Sequence, residues 1–362
     1  MSIAKSFVES ISSADATEMR LPESLPDPGL LVGWSMELEH RRQPVGFTFG
    51  EPEKTPATGW LDPVLLNAEG HLVTIAPTGS GKGRSCIIPA LLRHGGPVIV
   101  IDPKGENAAV TARHRRAMGQ QVVVLDPIGI SGEASGSLNP LDLIDPASAD
   151  AVDLAGMFAN AMIDANRDPE NTYWYQRAQQ LLIGLILHVA ALPEPGAKTF
   201  ATIRQLLAGL VAEQGSLNSP IRDAIIASPH PEARLAGSIL QSSAAEGLGS
   251  ILSMTQHGVD FLRGTQVENA SGSSSFDLQA VTRGDPITIY LVLPPHMLES
   301  HGQVLRLWIM SLLSLITRRR GRPKKSTLLI LDEAAQLGTL PQLRQAITLL
   351  RGYGVQVWSF WQ

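Results

Sequence analysis

Eight consecutive residues, Ala76, Pro77, Thr78, Gly79, Ser80, Gly81, Lys82 and Gly83, carry the strongest chemical signal in the chain. They follow an apolar run and precede a segment of helical length that opens at Arg84. In such a setting successive backbone N–H groups and a helix N-terminus form a nest for phosphate oxygens, and Lys82 reaches the outer phosphates. The glycines allow positive φ and let phosphates press against the backbone. Two positions depart from the usual phosphate-loop pattern. Ala76 replaces the first glycine, and Gly83 stands where a Ser or Thr hydroxyl normally holds Mg²⁺. Ser85 lies roughly 200° further round the helix and is a poor substitute. The alternative is a glycine-rich strand–helix turn with no ligand.

The second signal is Thr327 to Leu331 followed by Asp332 and Glu333. An apolar strand ending in two acids delivers both carboxylates to the strand's C-terminal edge. There Asp332 would hold a Mg²⁺ ion and Glu333 would polarise an attacking water. Alone, such a run is weak evidence; together with the phosphate loop it is strong.

These residues need a scaffold, and the hydrophobic pattern predicts one. Leu72–Ala76, Val98–Asp102 and Val122–Asp126 are apolar throughout, as expected for parallel strands covered on both faces. Between them Arg84–Arg93 and Glu106–Met118 read as helices. After Pro140 the strand signal stops for more than 130 residues. Six helices are predicted instead: Ala151–Ala165, Tyr173–Leu192, Phe200–Ala212, Ile221–Ala227, Glu232–Gln241 and Leu248–Leu262. Strands return at Ile287–Leu293, Leu328–Leu331 and Val355–Phe360, with helices Gly302–Thr317 and Leu340–Leu350 between them. The expected fold is α/β, a mainly parallel sheet with an inserted all-α domain. Its boundaries are a lead-in over 1–65 with a short helix at Ser2–Ser12, a nucleotide-binding domain over 66–144 and 271–362, and the helical insertion over 145–270. The serine-rich stretch Ser271–Ser275 reads as a flexible return linker.

Composition narrows the function. With 44% hydrophobic and 17% charged residues the chain is not a disordered one. Its net charge of −5 argues against a simple polybasic coat for nucleic acid. The charge is unevenly spread, at net −6 over Asp145–Ala270 and net +7 over His301–Gln362. A single cysteine, Cys86, rules out a disulfide framework and suits a reducing cytoplasm. The most apolar stretches, Leu181–Leu192 and Leu305–Ile316, fall short of the roughly 20 residues that a membrane span requires.

With these residues in place the chain resembles the VirD4/TraG-type coupling ATPases of bacterial type IV secretion and conjugation, within the FtsK/HerA-like motor group. The resemblance runs from about His71 to Gln362. It rests on the phosphate loop, Asp102-Pro103-Lys104-Gly105-Glu106, Ser137-Leu138-Asn139-Pro140-Leu141, Leu331–Gly338 and Leu350-Arg351-Gly352-Tyr353-Gly354. It implies a RecA-like P-loop NTPase that uses ATP and Mg²⁺, assembled as a homo-hexamer at the cytoplasmic face of the plasma membrane. The implied partners are a relaxase–DNA complex or effector proteins, largely non-specific DNA, and components of the secretion channel. It further implies that Arg351 is an arginine finger acting on the neighbouring subunit and that Gln362 senses the γ-phosphate. Such proteins commonly begin with transmembrane helices and continue beyond the strand that ends here, so the chain is expected to be C-terminally incomplete.

Other positions have two readings each. Asp102, Lys104 and Glu106 form either the surround of the active site or a capped, charged βα turn. Arg351 also reads as a cation capping a helix end. Arg318-Arg319-Arg320-Gly321-Arg322-Pro323-Lys324-Lys325 reads first as a solvated loop, with DNA phosphates as the alternative. Tyr173, Trp174 and Tyr175 read as packing before base stacking, and Cys86 as a small buried apolar residue.

Overall fold

The computed structural model describes residues 19–20, 29–37, 59–68, 70–77, 79–164, 169–194, 196–216, 218–242, 245–334 and 349–361. Thr78, Gln362, the predicted helix Ser2–Ser12 and all but the last two residues of the predicted helix Leu340–Leu350 lie outside them. The chain divides into two compact units, one of residues 1–69 and 78–95 and one of residues 70–77 and 96–362.

The first unit contains a small sheet of β1 (Met19–Arg20), β2 (Leu30–Glu37) and β3 (Gly59–Leu66). β2 and β3 pair antiparallel from Leu30 opposite Leu66 to Glu37 opposite Trp60, with a register slip at Gly33. No strand was expected in the lead-in over 1–65, and the two eight-residue strands correct that. Gly33 and Pro63 hid them. Proline cannot donate to a ladder, but β1 pairs only with Gly59 and Trp60, so Pro63 faces no strand on that side among the described residues. A helical segment follows the phosphate loop, first a wide turn at Gly83–Ile87 and then α1 (Ile88–Arg93). It packs against β2 and buries Leu30, Leu31, Ile87, Ala90 and Leu91.

The second unit is built on six strands: β4 (Leu72–Ile75), β5 (Val98–Ile101), β6 (Gln121–Leu125), β7 (Ile287–Leu291), β8 (Thr327–Leu331) and β9 (Val355–Trp361). Every pairing is parallel and the order is β4-β9-β8-β5-β7-β6. The inner strands β5, β7 and β8 are buried along their whole length, which is why their sequences are apolar runs and not alternations. Helix α2 (Glu106–Ala117) joins β5 to β6, and α11 (Pro295–Thr317) joins β7 to β8. α11 begins seven residues before the predicted Gly302, with Pro295 at the first helical position, where a missing N–H costs nothing.

Between β6 and β7 the backbone is helical: α3 (Ala151–Met162), α4 (Thr172–Ala190), α5 (Phe200–Ala212), α6 (Pro220–Ile226), α7 (Pro231–Ser242), α8 (Ala245–Val259), α9 (Thr265–Ala270) and α10 (Leu278–Arg283). Thr199 and Ser219 cap α5 and α6, accepting from the N–H groups of Thr202 and Arg222. Leu181, Leu182, Leu185 and Phe158 of these helices, Trp308 and Leu312 of α11, and Ile101, Leu291 and Leu331 of the sheet belong to one continuous buried core.

Entry to and exit from this helical stretch are clasped together. Leu138 N–H donates to Ala270 O at 2.9 Å, Asn139 N–H to Ser274 Oγ at 3.1 Å and Ser137 N–H to Ser275 Oγ at 2.9 Å. Ser274 N–H returns to Asp142 Oδ2 at 2.9 Å, and Trp308 Nε1 reaches Leu138 O at 3.0 Å. Ser271–Ser275 is therefore a bonded latch and not the flexible linker expected from its composition.

Candidate active site

In the first unit the phosphate loop has the conformation its glycines imply. Gly79 and Gly81 sit at φ 79° and 82°. An added Cβ at Gly79 or Gly83 would meet nothing within 4 Å, so backbone conformation and not crowding requires glycine at Gly79. Ser85 N–H donates to Gly81 O at 2.8 Å and closes the first turn after Lys82. Ser80 and Arg84 are exposed, as is Ser85. Cys86 is half-buried, and burial pushes its thiol up from its ordinary value.

In the second unit, parallel pairing gathers the C-terminal ends of the strands along one edge. Ile75 pairs with Trp361, Leu331 with Ser359, and Ile101 with Leu331. The residues that follow these strands, Ala76, Asp332 and Asp102, therefore lie along the same edge. Ala76 N–H donates to Trp361 O at 3.0 Å. This is where ligands bind in open parallel sheets.

Asp332 and Glu333 leave β8 in an unusual turn. Glu333 has φ 53°, the one non-glycine residue at positive φ among the described residues. Its N–H donates to Asp332 Oδ1 at 3.0 Å. Its side chain is only 8% exposed, and Lys104 Nζ lies 3.9 Å from its carboxylate. A glutamate held in the left-handed region costs roughly 1–3 kcal/mol, the kind of strain that collects at working sites.

Asp102 ends β5 and is buried. Its Oδ2 accepts Ala108 N–H at 2.8 Å and its Oδ1 accepts Asn107 Nδ2 at 3.2 Å. The same Asn107 amide reaches Asp332 Oδ2 at 3.4 Å. Burial raises the Asp102 carboxyl to about 6, against the lowering effect of these hydrogen bonds and with a further push from the Asp332 charge. Gly105 turns the chain into α2 at φ 69°, where a Cβ would press on the Ser131 backbone at 3.1 Å. Of the two readings of this segment, the hydrogen bonds show the capped βα turn. Asp102 caps the βα turn and shares an amide with Asp332.

Among the described residues no group of three or more His, Cys, Asp or Glu could hold a metal by itself. Mg²⁺ takes one or two carboxylates and completes its shell with phosphate oxygens and water. Asp332 supplies the right donor class, and Gly83 supplies no hydroxyl. Arg351 is exposed in a short 3₁₀ turn, Arg351–Tyr353, whose carbonyl accepts Gly354 N–H at 3.2 Å.

The structure thus brings Ala76, Asp332 and Glu333 to one sheet edge. Pro77 follows Ala76 in the same unit, whereas Gly79–Arg84 belong to the other. Asn107 was missed in the sequence reading, although it directly follows the Asp102–Glu106 segment. Glu333's strain was illegible too, because nothing in an Asp-Glu pair announces a left-handed backbone.

The family model described as type IV secretory system conjugative DNA transfer matches residues 39–362. The conjugal transfer protein TraG of Escherichia coli is 27% identical over 324 residues, covering 84% of this chain and 51% of that protein. Protein VirD4 of Rhizobium radiobacter is 28% identical over 308 residues, covering 83% and 43%. The chain spans about half the length of the relatives it matches. Among solved structures, the plasmid coupling protein TrwB in complex with ADP and Mg²⁺ superposes with a TM-score of 0.59 at 18% identity, covering 81% of this chain and 63% of that one. TrwB with the GTP analogue GDPNP gives a TM-score of 0.61 at 17% identity, with the same coverage. At that identity the likeness speaks for the RecA-like fold alone.

Proposed function

The chain belongs to the type IV secretory system conjugative DNA transfer family, and from that premise we propose that it is the motor portion of a coupling ATPase that delivers relaxase-bound DNA to a transfer channel. The observation that carries the reading is the cluster Asp102–Asn107–Asp332–Glu333 at the C-terminal edge of a parallel sheet. The phosphates of ATP fall to the phosphate loop, where Gly79, Ser80, Gly81 and Gly83 offer backbone donors, with Ala76, Pro77 and Thr78 leading in and Arg84 following. Lys82 neutralises the outer phosphates, Asp332 holds Mg²⁺, and Glu333 orients the attacking water. Arg351 acts in trans on a neighbouring subunit of a homo-hexamer, and Gln362 senses the γ-phosphate. Bound Mg²⁺ supplies charge neutralisation for the departing phosphate. TrwB, a protein of similar fold, has been crystallised with ADP and Mg²⁺, which supports this choice of nucleotide and metal.

The domain assignment that goes with this reading is a motor domain over 66–144 and 271–362, a helical domain over 145–270 that recognises cargo, and a lead-in over 1–65. Among the described residues no helix is long and apolar enough to cross a membrane. The proposed station at the cytoplasmic face of the plasma membrane therefore follows from the family and not from a span in these residues. Phosphate release with Mg²⁺ and ATP, with and without DNA, tests the proposal. DNA-stimulated turnover that vanishes in Glu333→Gln is expected. Turnover that survives Glu333→Gln would remove the base from the account, and stimulation by effector protein but not DNA would favour an effector-only coupling protein. A second reading, a scaffold that binds ATP without turning it over, is favoured by one feature, the absent hydroxyl at Gly83.

A further inference from the structure

The basic run Arg318–Lys325 is assigned no role in the proposed nucleotide chemistry. It joins α11 to the start of β8, at the N-terminal edge of the sheet, while Asp332 ends that strand. Five residues of strand put roughly 16 Å between the two edges.

The run is firmly held and not simply solvated. Arg319 turns inward and is buried, donating from Nε and Nη2 to Val281 O at 3.2 and 2.8 Å and from Nη1 to Tyr353 O at 3.1 Å. Pro323 is wedged between Gly284 and Gly354, where an added Cβ would come within 2.6 and 2.7 Å of the proline ring. Arg322 Nε donates to Gly352 O at 3.2 Å. With Arg319 fixed inside, its neighbours are displayed outward.

They line a cleft of about 600 Å³ whose walls are Gln279, Thr282, Arg283, Arg318, Arg320 and Arg322, with Gly321 between the last two. Carboxylates outside the lining hold two of these arginines in place. Arg283 pairs with Asp277 and Asp285 at 2.8 and 2.7 Å, and Arg318 pairs with Asp150 at 2.7 Å. Arg320 makes no ion pair among the described residues. The Thr282 hydroxyl on the wall has no hydrogen-bond partner among them either.

We propose that this cleft binds the phosphodiester backbone of duplex DNA. Guanidinium forks suit paired phosphate oxygens better than isolated charges do, and Arg320 offers its fork with no competing carboxylate among the described residues. At the other two, a phosphate would have to displace Asp150 from Arg318 and Asp277 or Asp285 from Arg283. Among the described residues no aromatic side chain lines the cleft, so the ring stacking that single-strand grooves rely on is not offered there, and the duplex backbone is the favoured form. Among the described residues no apolar side chain lines it either, which disfavours both a peptide with anchoring residues and insertion into a membrane surface. Binding is therefore sequence-independent and steeply dependent on salt. The choice of DNA as ligand rests on the proposed DNA cargo, whereas the position of the site does not.

The test is the salt dependence of binding of a random-sequence duplex to the nucleotide-free 362-residue chain, followed by fluorescence anisotropy. Arg318→Ala/Arg320→Ala is expected to lower the slope of log affinity against log salt by about 2, near 0.9 per phosphate contact. Arg318→Lys/Arg320→Lys should restore most of the slope. Arg113→Ala/Arg116→Ala, which removes equal charge from α2, should leave it unchanged. An unchanged slope in the first variant, or equal losses in the first and third, overturns the proposal. So does displacement of the duplex by polyglutamate at equal charge, retention of phosphatidylserine vesicles without retention of DNA, or no DNA binding by the wild type. ATP hydrolysis, read separately, decides the motor assignment whatever the DNA result.

Discussion

Asn107 spends one side-chain amide on two carboxylates from neighbouring strands, reaching Asp102 at 3.2 Å and Asp332 at 3.4 Å. The amide screens two like charges from each other and fixes the rotamer of the proposed Mg²⁺ ligand. Residues that orient a metal ligand typically govern 10–100-fold in metal affinity or activity. Asn107→Leu is therefore expected to raise the Mg²⁺ concentration needed for half-maximal turnover by roughly tenfold or more. Nucleotide affinity without Mg²⁺ should hardly change. A Mg²⁺ titration of phosphate release checks this, and an unaltered midpoint would show that Asn107 serves only the βα turn.

Glu333 combines a strained backbone with a proposed catalytic role, so stability and activity should separate there. In the left-handed region glycine escapes the Cβ clash that alanine retains, a difference of about 1 kcal/mol. Glu333→Gly should melt higher than Glu333→Ala, and both should lack hydrolysis. Equal melting temperatures would mean that the turn relaxes when the carboxylate is removed.

His188 predicts a pH effect on stability. Burial in α4 lowers its pKa from the ordinary 6.5, and its Nδ1 has no hydrogen-bond partner among the described residues. The unfolded chain therefore binds this proton more readily than the folded one. The stability contribution is present above the unfolded value and is lost as pH falls through 6.5 toward the lower folded value. Thermal melts of wild type between pH 5 and 7.5 should show this loss, and His188→Phe should flatten it. Parallel curves for the two proteins would rule His188 out as the titrating group.

Asn139 tests the latch that closes the helical stretch. Its side chain accepts Leu141 N–H at 3.0 Å and donates to Lys198 O at 2.7 Å and Asp142 Oδ1 at 3.2 Å. Asn139→Ala leaves buried backbone groups without those partners, at about 2–3 kcal/mol. Denaturant melts would register it as a lower midpoint. A loss below about 0.5 kcal/mol would mean that water replaces the amide.

What the sequence made legible follows from how each element is buried. β5, β7 and β8 are covered on both faces, so their apolar runs were readable, and the acids after β8 could be placed at the sheet edge. β2 and β3 escaped notice because Gly33 and Pro63 interrupt them. Ser271–Ser275 looked flexible because composition does not reveal hydrogen-bond partners more than 130 residues away in sequence, such as Ser137 and Asp142. The basic run looked solvated for a similar reason. Its anchors, Val281 O and the glycines at 284 and 354, lie far from it along the chain.

The central claim is that Lys82 and its loop hold a nucleotide triphosphate. A fluorescent ATP analogue titrated into wild type, Glu333→Gln and Lys82→Ala, with Mg²⁺ present, measures it most directly. The account predicts saturable binding to the first two at similar affinity, and affinity at least tenfold weaker for Lys82→Ala, a loss of about 1.4 kcal/mol or more. Wild-type affinity in Lys82→Ala, or no binding to any of the three, would contradict it.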